Sequence, residues 1–561
     1  MTSTTEETFD LVVIGGGPTG LLCAVLARQL GLTVSIIEAK ACTLESGRAD
    51  GLNARTQQYL GVIGTLDKLR PNGIQCNTTT TASSTFADGA FETRQSHWWT
   101  SIEHCQHKNM LIIGQPAVER ALLAQLQAPR QPNVPLAIRF RHRAKSIVED
   151  DSGVKVISEG FTEHGVPSRV TTRAQFAIGA DGARSTIRPL LGFGFEGSQP
   201  EMVWAVLDTW IDTDFPTCPE IISLQNGGQC RVLWVPRERR LSRFYVRLLP
   251  EEVATKHAAE ETIREHMSPY RVRFLRAEWF IKERVASAFA TLDGKGRVFL
   301  AGDAAHCHSV NGAQGLNTGV ADAFGLIWRI AIAAGKIKMD PSADAQGHNH
   351  GGQDRVTTIM KSYDTERRAV ALNAVGVAAE LVRDTRHHAR QYVATIERNA
   401  GYITGMGVAY DGMGSPLVVE SEQGIWKAGR RCPDLEVQFA SPHFPGPTRD
   451  TYRLYETARS FGYGRFLLLV IGHHSHAAPT LDWQFRSVAN AVTLVWPGAI
   501  LSLTDPNKAP RGGFHYPGEW SFVTDAVGPD DSFMVVVRPD LYIGYVGDIE
   551  GLLSYMAKIF S

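Results

Sequence analysis

Phe9-Asp-Leu-Val-Val-Ile14, then Gly15-Gly-Gly-Pro-Thr-Gly20, then the run from Leu21 to Leu30 decide the fold of this chain. A short β-branched stretch leads into a glycine turn, the turn opens an apolar helical pattern, and Gly31 closes it. A second apolar run, Thr33 to Ile37, ends at Glu38, so the spacing predicts a βαβ unit. Gly15, Gly17 and Gly20 are glycines for separate reasons. The turn is tight, the backbone must approach a pyrophosphate, and the helix must pack on the strand while its N-terminal amides face the anion. Glu38 follows at about the 20-residue distance where a carboxylate accepts hydrogen bonds from ribose hydroxyls. It repels a 2'-phosphate, so the expected ligand is FAD or NAD rather than NADP. A second G-x-G-x-x-G match, Gly192-Phe-Gly194-Phe-Glu-Gly197, opens no helical pattern and reads as a loop.

The 561 residues correspond to about three or four units at roughly 150 residues each. Hydrophobic residues at 43% against 20% charged exclude a disordered or collagen-like chain. A formal charge of -1, without a basic run, argues against nucleic acid or an anionic membrane surface as partner. The eight cysteines form no C-x-x-C pair, so neither a zinc knuckle nor a disulfide framework is expected, and a reducing compartment fits. Leu11 to Ala27 is not read as a signal peptide, because Glu6, Glu7 and Asp10 precede it where a cationic region belongs. No run reaches the ~20 uncharged apolar residues of a membrane helix, and the C-terminal residues are no peroxisomal signal. The expectation is a cytoplasmic protein.

Two more strand-to-turn signals share the expected sheet: Gln175-Phe-Ala-Ile-Gly-Ala-Asp181-Gly182, and Arg297-Val-Phe-Leu-Ala-Gly302-Asp303 ahead of a helical stretch from Thr318 to Ala334. Between them, Val203 to Trp210, Cys230 to Val235 and Ser242 to Leu248 predict a mostly antiparallel sheet suited to form a substrate wall. Lys338 to Arg355 reads as a polar loop, Val356 to Ala400 as helical, and the runs Arg465 to Ile471 and Ser532 to Arg538 as strands of a C-terminal α/β unit. The expected fold is α/β. A discontinuous Rossmann-like FAD-binding domain (1–195 and 281–360) carries an inserted substrate sheet (196–280, with parts of 85–110). A helical region (361–424) and a C-terminal domain (425–561) follow.

Gly302-Asp303 at a strand end and Gly312-Ala-Gln-Gly315-Leu316-Asn317 at a helix start place a carboxylate and a row of amides one helix start apart. A ribityl chain and a flavin ring use both. With Gly179-Ala-Asp181-Gly182-Ala-Arg184-Ser185 as the third fingerprint, the chain resembles the FAD-dependent aromatic hydroxylases, the class A flavoprotein monooxygenases. Gly47-Arg48-Ala-Asp50-Gly-Leu-Asn-Ala-Arg55-Thr and Arg243-Phe-Tyr245-Val resemble the phenol 2-monooxygenase branch in particular. The resemblance implies bound FAD, NADPH as a transient co-substrate, O2, and attack of an electron-rich ring on a flavin hydroperoxide. It assigns Gly15, Gly17, Gly20 and Glu38 to the ADP half of FAD and Asp303 to the ribityl chain. It assigns Asp181 and Arg184 to the pyrophosphate and NADPH, and the amides of Gly315, Leu316 and Asn317 to the flavin ring. Arg48, Gln115 and Arg120 complete the implied cofactor set. Val537-Arg-Pro-Asp540-Leu-Tyr resembles the end of that family's thioredoxin-like domain, implying a redox-inactive bracing or dimerisation module and a homodimer.

The resemblance also places Asp50, Arg243 and Tyr245 at the hydroxyl of a small phenolic substrate, hydroxylated ortho to it. Asp50 is the expected proton acceptor, Tyr245 the residue contacting the substrate oxygen, and Arg243 the orienting cation. Two simpler readings stand beside this: Asp50 as cap of a helix over Asn53 to Leu60, and the face shared by Arg243 and Tyr245 as solvent-exposed. The flavin-facing loop reads Val310-Asn-Gly-Ala313-Gln-Gly-Leu316-Asn317 where the family has Pro-x-x-Gly-Gln-Gly-Met-Asn, which predicts a different loop path. It also keeps open a flavin oxidase or dehydrogenase without oxygen insertion. His306-Cys307-His308 and His473, His474 and His476 are read as non-metal sites, and Trp98-Trp99 as the edge of a core.

Overall fold

The computed structural model describes residues 3–76, 79–83, 91–92, 103–129, 134–198, 203–216, 220–226, 229–249, 252–253, 255–284, 287–290, 296–307, 314–339, 352–384, 389–439, 451–472, 481, 484–497 and 521–560. The readings at Trp98-Trp99, Val310, Ala313 and His473 to His476, and most of the 338–355 loop, lie outside these residues.

The first βαβ unit forms where the pattern puts it. The Ser3–Ile14 strand, the Pro18–Gln29 helix and the Val34–Ile37 strand follow one another, and the two strands pair in parallel. The Pro167–Gly179 strand lies parallel on the other side of Ser3–Ile14, and Val298–Leu300 lies parallel beside it. All three glycine junctions therefore open at the C-terminal ends of neighbouring parallel strands. Two antiparallel strands, Gly153–Phe161 and His142–Asp150, extend the sheet beyond Pro167–Gly179. The Gln314–Ala333 helix is apolar almost all round and is buried accordingly, with Leu326, Ile327 and Trp328 inaccessible.

A second, seven-stranded sheet is antiparallel apart from one parallel pair. Its centre is Val203–Thr213, Ser242–Leu248 and Gln229–Pro236, the three predicted runs. The flanking strand Val272–Arg284 carries it past residue 280, and the single helix Gly352–Asp384 runs through position 360. Gly192 is not part of a simple loop: it ends the Ile187–Leu190 helix with φ 72°, and Phe195–Ser198 pairs as a strand with Ser287–Ala290. Backbone pairing in that segment overrides its loop-like composition.

The C-terminal sheet is also seven-stranded and mixed. It is joined to the rest through buried charge. Arg538 donates to both Glu366 oxygens at 2.7 and 2.9 Å and to both Asp540 oxygens at 3.1 and 2.7 Å, while Arg329 donates to Glu366 at 2.7 Å. Each of these four side chains is nearly inaccessible, so each charge depends on its partners rather than on water.

Candidate functional site

At the first junction the three glycines differ in what surrounds them. A Cβ on Gly15 would lie 2.2 Å from the Ala180 carbonyl oxygen, and Gly15 has φ 110°; a Cβ on Gly20 would lie 1.9 Å from the Gly15 oxygen. Those two are required by backbone packing. Nothing stands within 4 Å of a Cβ on Gly17, which begins the Pro18–Gln29 helix with extended φ -76°. That open cradle at a helix N-terminus is where a pyrophosphate fits. Glu38 is buried and accepts from the amides of Gly16 and Lys40.

Asp181 uses one carboxylate oxygen to accept from the Thr186 amide at 2.6 Å, the Thr186 hydroxyl at 3.0 Å and the Ile187 amide at 3.2 Å. Its other oxygen is buried without a hydrogen-bond partner among the described residues, which a donor from a bound group would satisfy. Arg184 is exposed beside it. Asp303 is solvent-exposed at the strand end, though protein atoms crowd its carboxyl. Burial therefore raises its carboxyl above the ordinary value, against the opposing charges of His306 and Arg48. The turn that carries it is held by a residue outside every sequence motif: Asp322 accepts from the Gly302 amide at 2.8 Å and from Arg367 at 2.7 Å, and lies 2.7 Å from His306 Nε2. A helix-interior aspartate among apolar residues was its only sequence signal.

The segment from Arg48 to Asn53 joins these parts. Gln115 holds Ala49 through both its amide and its side chain, at 2.8 and 3.3 Å, and donates to Glu119 at 2.9 Å; Arg120, the next residue, is exposed. Asn317 Oδ1 accepts from the Asn53 amide and its Nδ2 donates to the Gly51 carbonyl, both at 3.0 Å. Gly315 and Leu316 are half-buried in the first turn of the same helix. Asn53, not Asp50, caps the Ala54–Val62 helix, accepting from the Thr56 amide at 2.9 Å. The cap reading of Asp50 is thereby corrected, because three residues put its side chain outside capping reach. Arg55 then ties this helix to the C-terminal unit, donating to Tyr455 Oη at 2.9 Å and to the carbonyls of Asp540 and Leu541 at 3.1 and 3.3 Å.

Asp50, Arg243 and Tyr245 come together. Tyr245 Oη donates to Asp50 Oδ2 at 3.2 Å, and Arg243 Nη1 lies 3.2 Å from the same oxygen and 3.3 Å from Tyr245 Oη. Arg243 Nη1 also donates to the Arg48 carbonyl, whose residue has φ 65°. The solvent-facing alternative for this strand face is excluded, since Arg243 is wholly inaccessible. Burial opposes its charge, but Tyr245, Asp50 and Asp208 outweigh that and hold it protonated far above the ordinary arginine range. Asp208 was not anticipated; it accepts from Arg243 Nε and Nη2, both at 2.6 Å, from the opposite position of the neighbouring strand. A buried arginine needs a carboxylate, but only the strand register says which one.

The chain matches the FAD binding domain family over residues 8–378. It is 23% identical to a phenol 2-monooxygenase of Aspergillus fumigatus, over 98% of this chain and 95% of that protein. It is 28% identical to a 3-hydroxybenzoate 4-monooxygenase of Comamonas testosteroni, over 97% and 94%. The crystal structure of the flavin-dependent monooxygenase PieE, in complex with FAD and substrate, shares its fold with a TM-score of 0.72 at 18% identity, covering 99% of both chains. This chain belongs to the FAD binding domain family. It is an FAD-dependent monooxygenase of the aromatic hydroxylase class. No described helix is long and apolar enough to cross a membrane.

Proposed function

We propose that this enzyme uses NADPH and O2 to hydroxylate a phenolic ring ortho to its hydroxyl. The observation that carries the reading is the convergence of Asp50, Tyr245 and Arg243 beside the Gly51–Asn53 segment that Asn317 holds. The names of the two relatives support the regiochemistry, since both describe oxygenation at the ring carbon next to a hydroxyl.

The cradle at Gly17, Glu38, the unpartnered oxygen of Asp181 and the carboxylate of Asp303 fit FAD, with Gln115 supporting Ala49 nearby and the Gly315 to Asn317 turn presenting amides to the ring. A bound FAD would take up hydride from NADPH and, once reduced, supply the activation of O2. Arg48, Arg120 and Arg184 belong to the same reading as cations along the cofactor path. Asp50, Tyr245 and Arg243 act on the substrate. As a hydroxyl, Tyr245 both accepts and donates, so it takes the proton of the substrate O–H while passing its own to Asp50. The substrate keeps the electron pair as a phenolate, and Arg243 stabilises the negative charge. A phenolate ring carries more electron density at its ortho carbon than the neutral phenol, which is what electrophilic oxygen transfer requires.

The C-terminal unit is read as a thioredoxin-like module. The order Ser521–Val523, Ala489–Val495, Phe466–Gly472, Ser532–Val537, Ile543–Gly547 supports this, with the first three strands parallel, the last two antiparallel and the Ile549–Phe560 helix following. Without a C-x-x-C pair its role is bracing, through Arg55 and Arg538, and pairing of two copies in a homodimer. Substrate-stimulated NADPH oxidation with a panel of simple and polyketide-type phenols tests the reading; stimulation by none of them contradicts it.

A further inference from the structure

We propose that Asp208 and Arg237, neither of which reaches the ring, are positioning residues that set the ionisation of the bound phenol from behind Arg243. The inference rests on the phenol-binding reading above and adds to it the origin of the site's charge balance.

A guanidinium is a planar fork with two usable edges. Asp208 occupies the Nε–Nη2 edge of Arg243 at 2.6 Å on both bonds, which leaves Nη1 directed at Tyr245, Asp50 and the Arg48 carbonyl. The pairing is built into the sheet, because Asp208 and Arg243 stand opposite each other in the antiparallel register of Val203–Thr213 and Ser242–Leu248. Both are fully buried, so no water substitutes for either.

Arg237, at the end of the next strand, is also buried, and its Nη1 lies 3.6 Å from Asp208 Oδ2. That nitrogen has no hydrogen-bond partner among the described residues, while Glu238 holds the Nε and Nη2 atoms at 2.9 Å each. Glu238 in turn accepts from the Gly114 amide at 3.2 Å, just before Gln115. Charge therefore alternates from Asp50 through Arg243, Asp208 and Arg237 to Glu238. A Cβ on Gly114 would lie 2.3 Å from Arg237 Nη2, so the backbone closes tightly over the far end.

Among the described residues, the ionisable groups touching this chain of charges include Arg48 and Asp50 on the segment before the Ala54–Val62 helix, Arg243, Tyr245 and Asp208 on the strands, and Arg237 and Glu238 at the turn. Cys76 and Cys105 pack into the apolar cluster around Tyr245, and burial raises the Cys105 thiol. With Asp208 present the two arginines share its negative charge. Neutralising Asp208 leaves two buried cations behind the phenol and favours phenolate; neutralising Arg237 leaves Asp208 less compensated and disfavours it. A purely structural role for these residues gives no such opposition of sign.

The test uses the full-length FAD-bound protein and 4-nitrophenol, whose phenolate has its own visible absorbance, titrated against pH by difference absorbance. Asp208→Asn lowers the apparent pKa of the bound ligand by about one unit, Arg237→Gln raises it by a smaller amount, and Asp208→Glu stays near the unaltered protein. Shifts of the same sign in D208N and R237Q, or bound ligand with no shift in either, overturn the proposal while leaving phenol binding intact. If D208N does not fold, the sign of the R237Q shift decides alone. Failure of the unaltered protein to bind the phenol at any pH overturns the substrate reading and this inference with it.

Discussion

Tyr245 donates to Asp50 across 3.2 Å although 195 residues separate them in the chain. One comes from the antiparallel sheet and the other from the segment between the first βαβ unit and the Ala54–Val62 helix, so the bond ties these two parts of the fold together. Removing the hydroxyl or the carboxylate breaks the proposed proton path without touching the glycine junctions. Tyr245→Phe and Asp50→Asn therefore keep FAD and accept hydride at near-normal rates, while hydroxylation falls by about 100-fold and peroxide rises to account for the NADPH consumed. Peroxide and product assayed together check this; unchanged coupling in both variants removes the pair from the mechanism.

The first junction separates folding from binding. Gly17→Ala meets no protein atom and has an ordinary φ, so its stability stays within about 1 kcal/mol of the parent while FAD affinity falls, because the methyl occupies the cradle. Gly15→Ala requires a positive φ and collides with Ala180, costing several kcal/mol before any ligand is considered. Denaturant unfolding paired with titration of the stripped protein by FAD distinguishes them. A Gly17→Ala protein with full FAD affinity contradicts the assignment.

Glu366 is the shared acceptor of Arg329 and Arg538. Burial alone raises the carboxyls of Glu366 and Asp540, but Arg538 and then Arg329 outweigh it and hold both below their ordinary values. Their stabilisation is complete above the unfolded carboxylate range near 4 and is lost only as pH falls below it. Glu366→Ala leaves two buried guanidinium groups short of an acceptor and costs about 3–5 kcal/mol at neutral pH. A loss under about 1 kcal/mol in chemical denaturation contradicts this account of how the C-terminal unit is held.

Asp434 behaves in the opposite sense. Burial pushes its carboxyl up to about 6, against donation from the Tyr455 amide and the charge of Arg453. Because the folded value lies above the unfolded one, its contribution is fully present below pH 3.8 and is lost as pH rises through 6. Asp434→Asn flattens the stability profile between about pH 4 and 6, a span worth roughly 2–3 kcal/mol, as melting at several pH values reads directly.

The local grammar of the fold was legible. Ser242 to Leu248 appears as the predicted strand, and the different duties of Gly15, Gly17 and Gly20 follow from the motif's position between a strand and a helix. Alternation placed Arg243 and Tyr245 on one strand face, but what that face meets depends on register, so Asp208 and Arg237 were invisible until the strands were paired. Asn53 rather than Asp50 caps the helix, since a shift of a few residues in a helix start changes the capping residue. Arg55 reaches Asp540 and Leu541 at a distance in sequence that no periodicity encodes. Phe195–Ser198 became a strand only because Ser287–Ala290 lies beside it.

Incorporation of oxygen from 18O2 into product, measured while the purified FAD-loaded protein turns over NADPH with a stimulating phenol, separates ring hydroxylation from oxidation without oxygen insertion. One labelled oxygen is expected, on the ring carbon next to the hydroxyl. Oxidised product free of label, formed whether or not NADPH is supplied, would contradict it, because the electrons would then pass from the phenol to the flavin with no oxygen inserted.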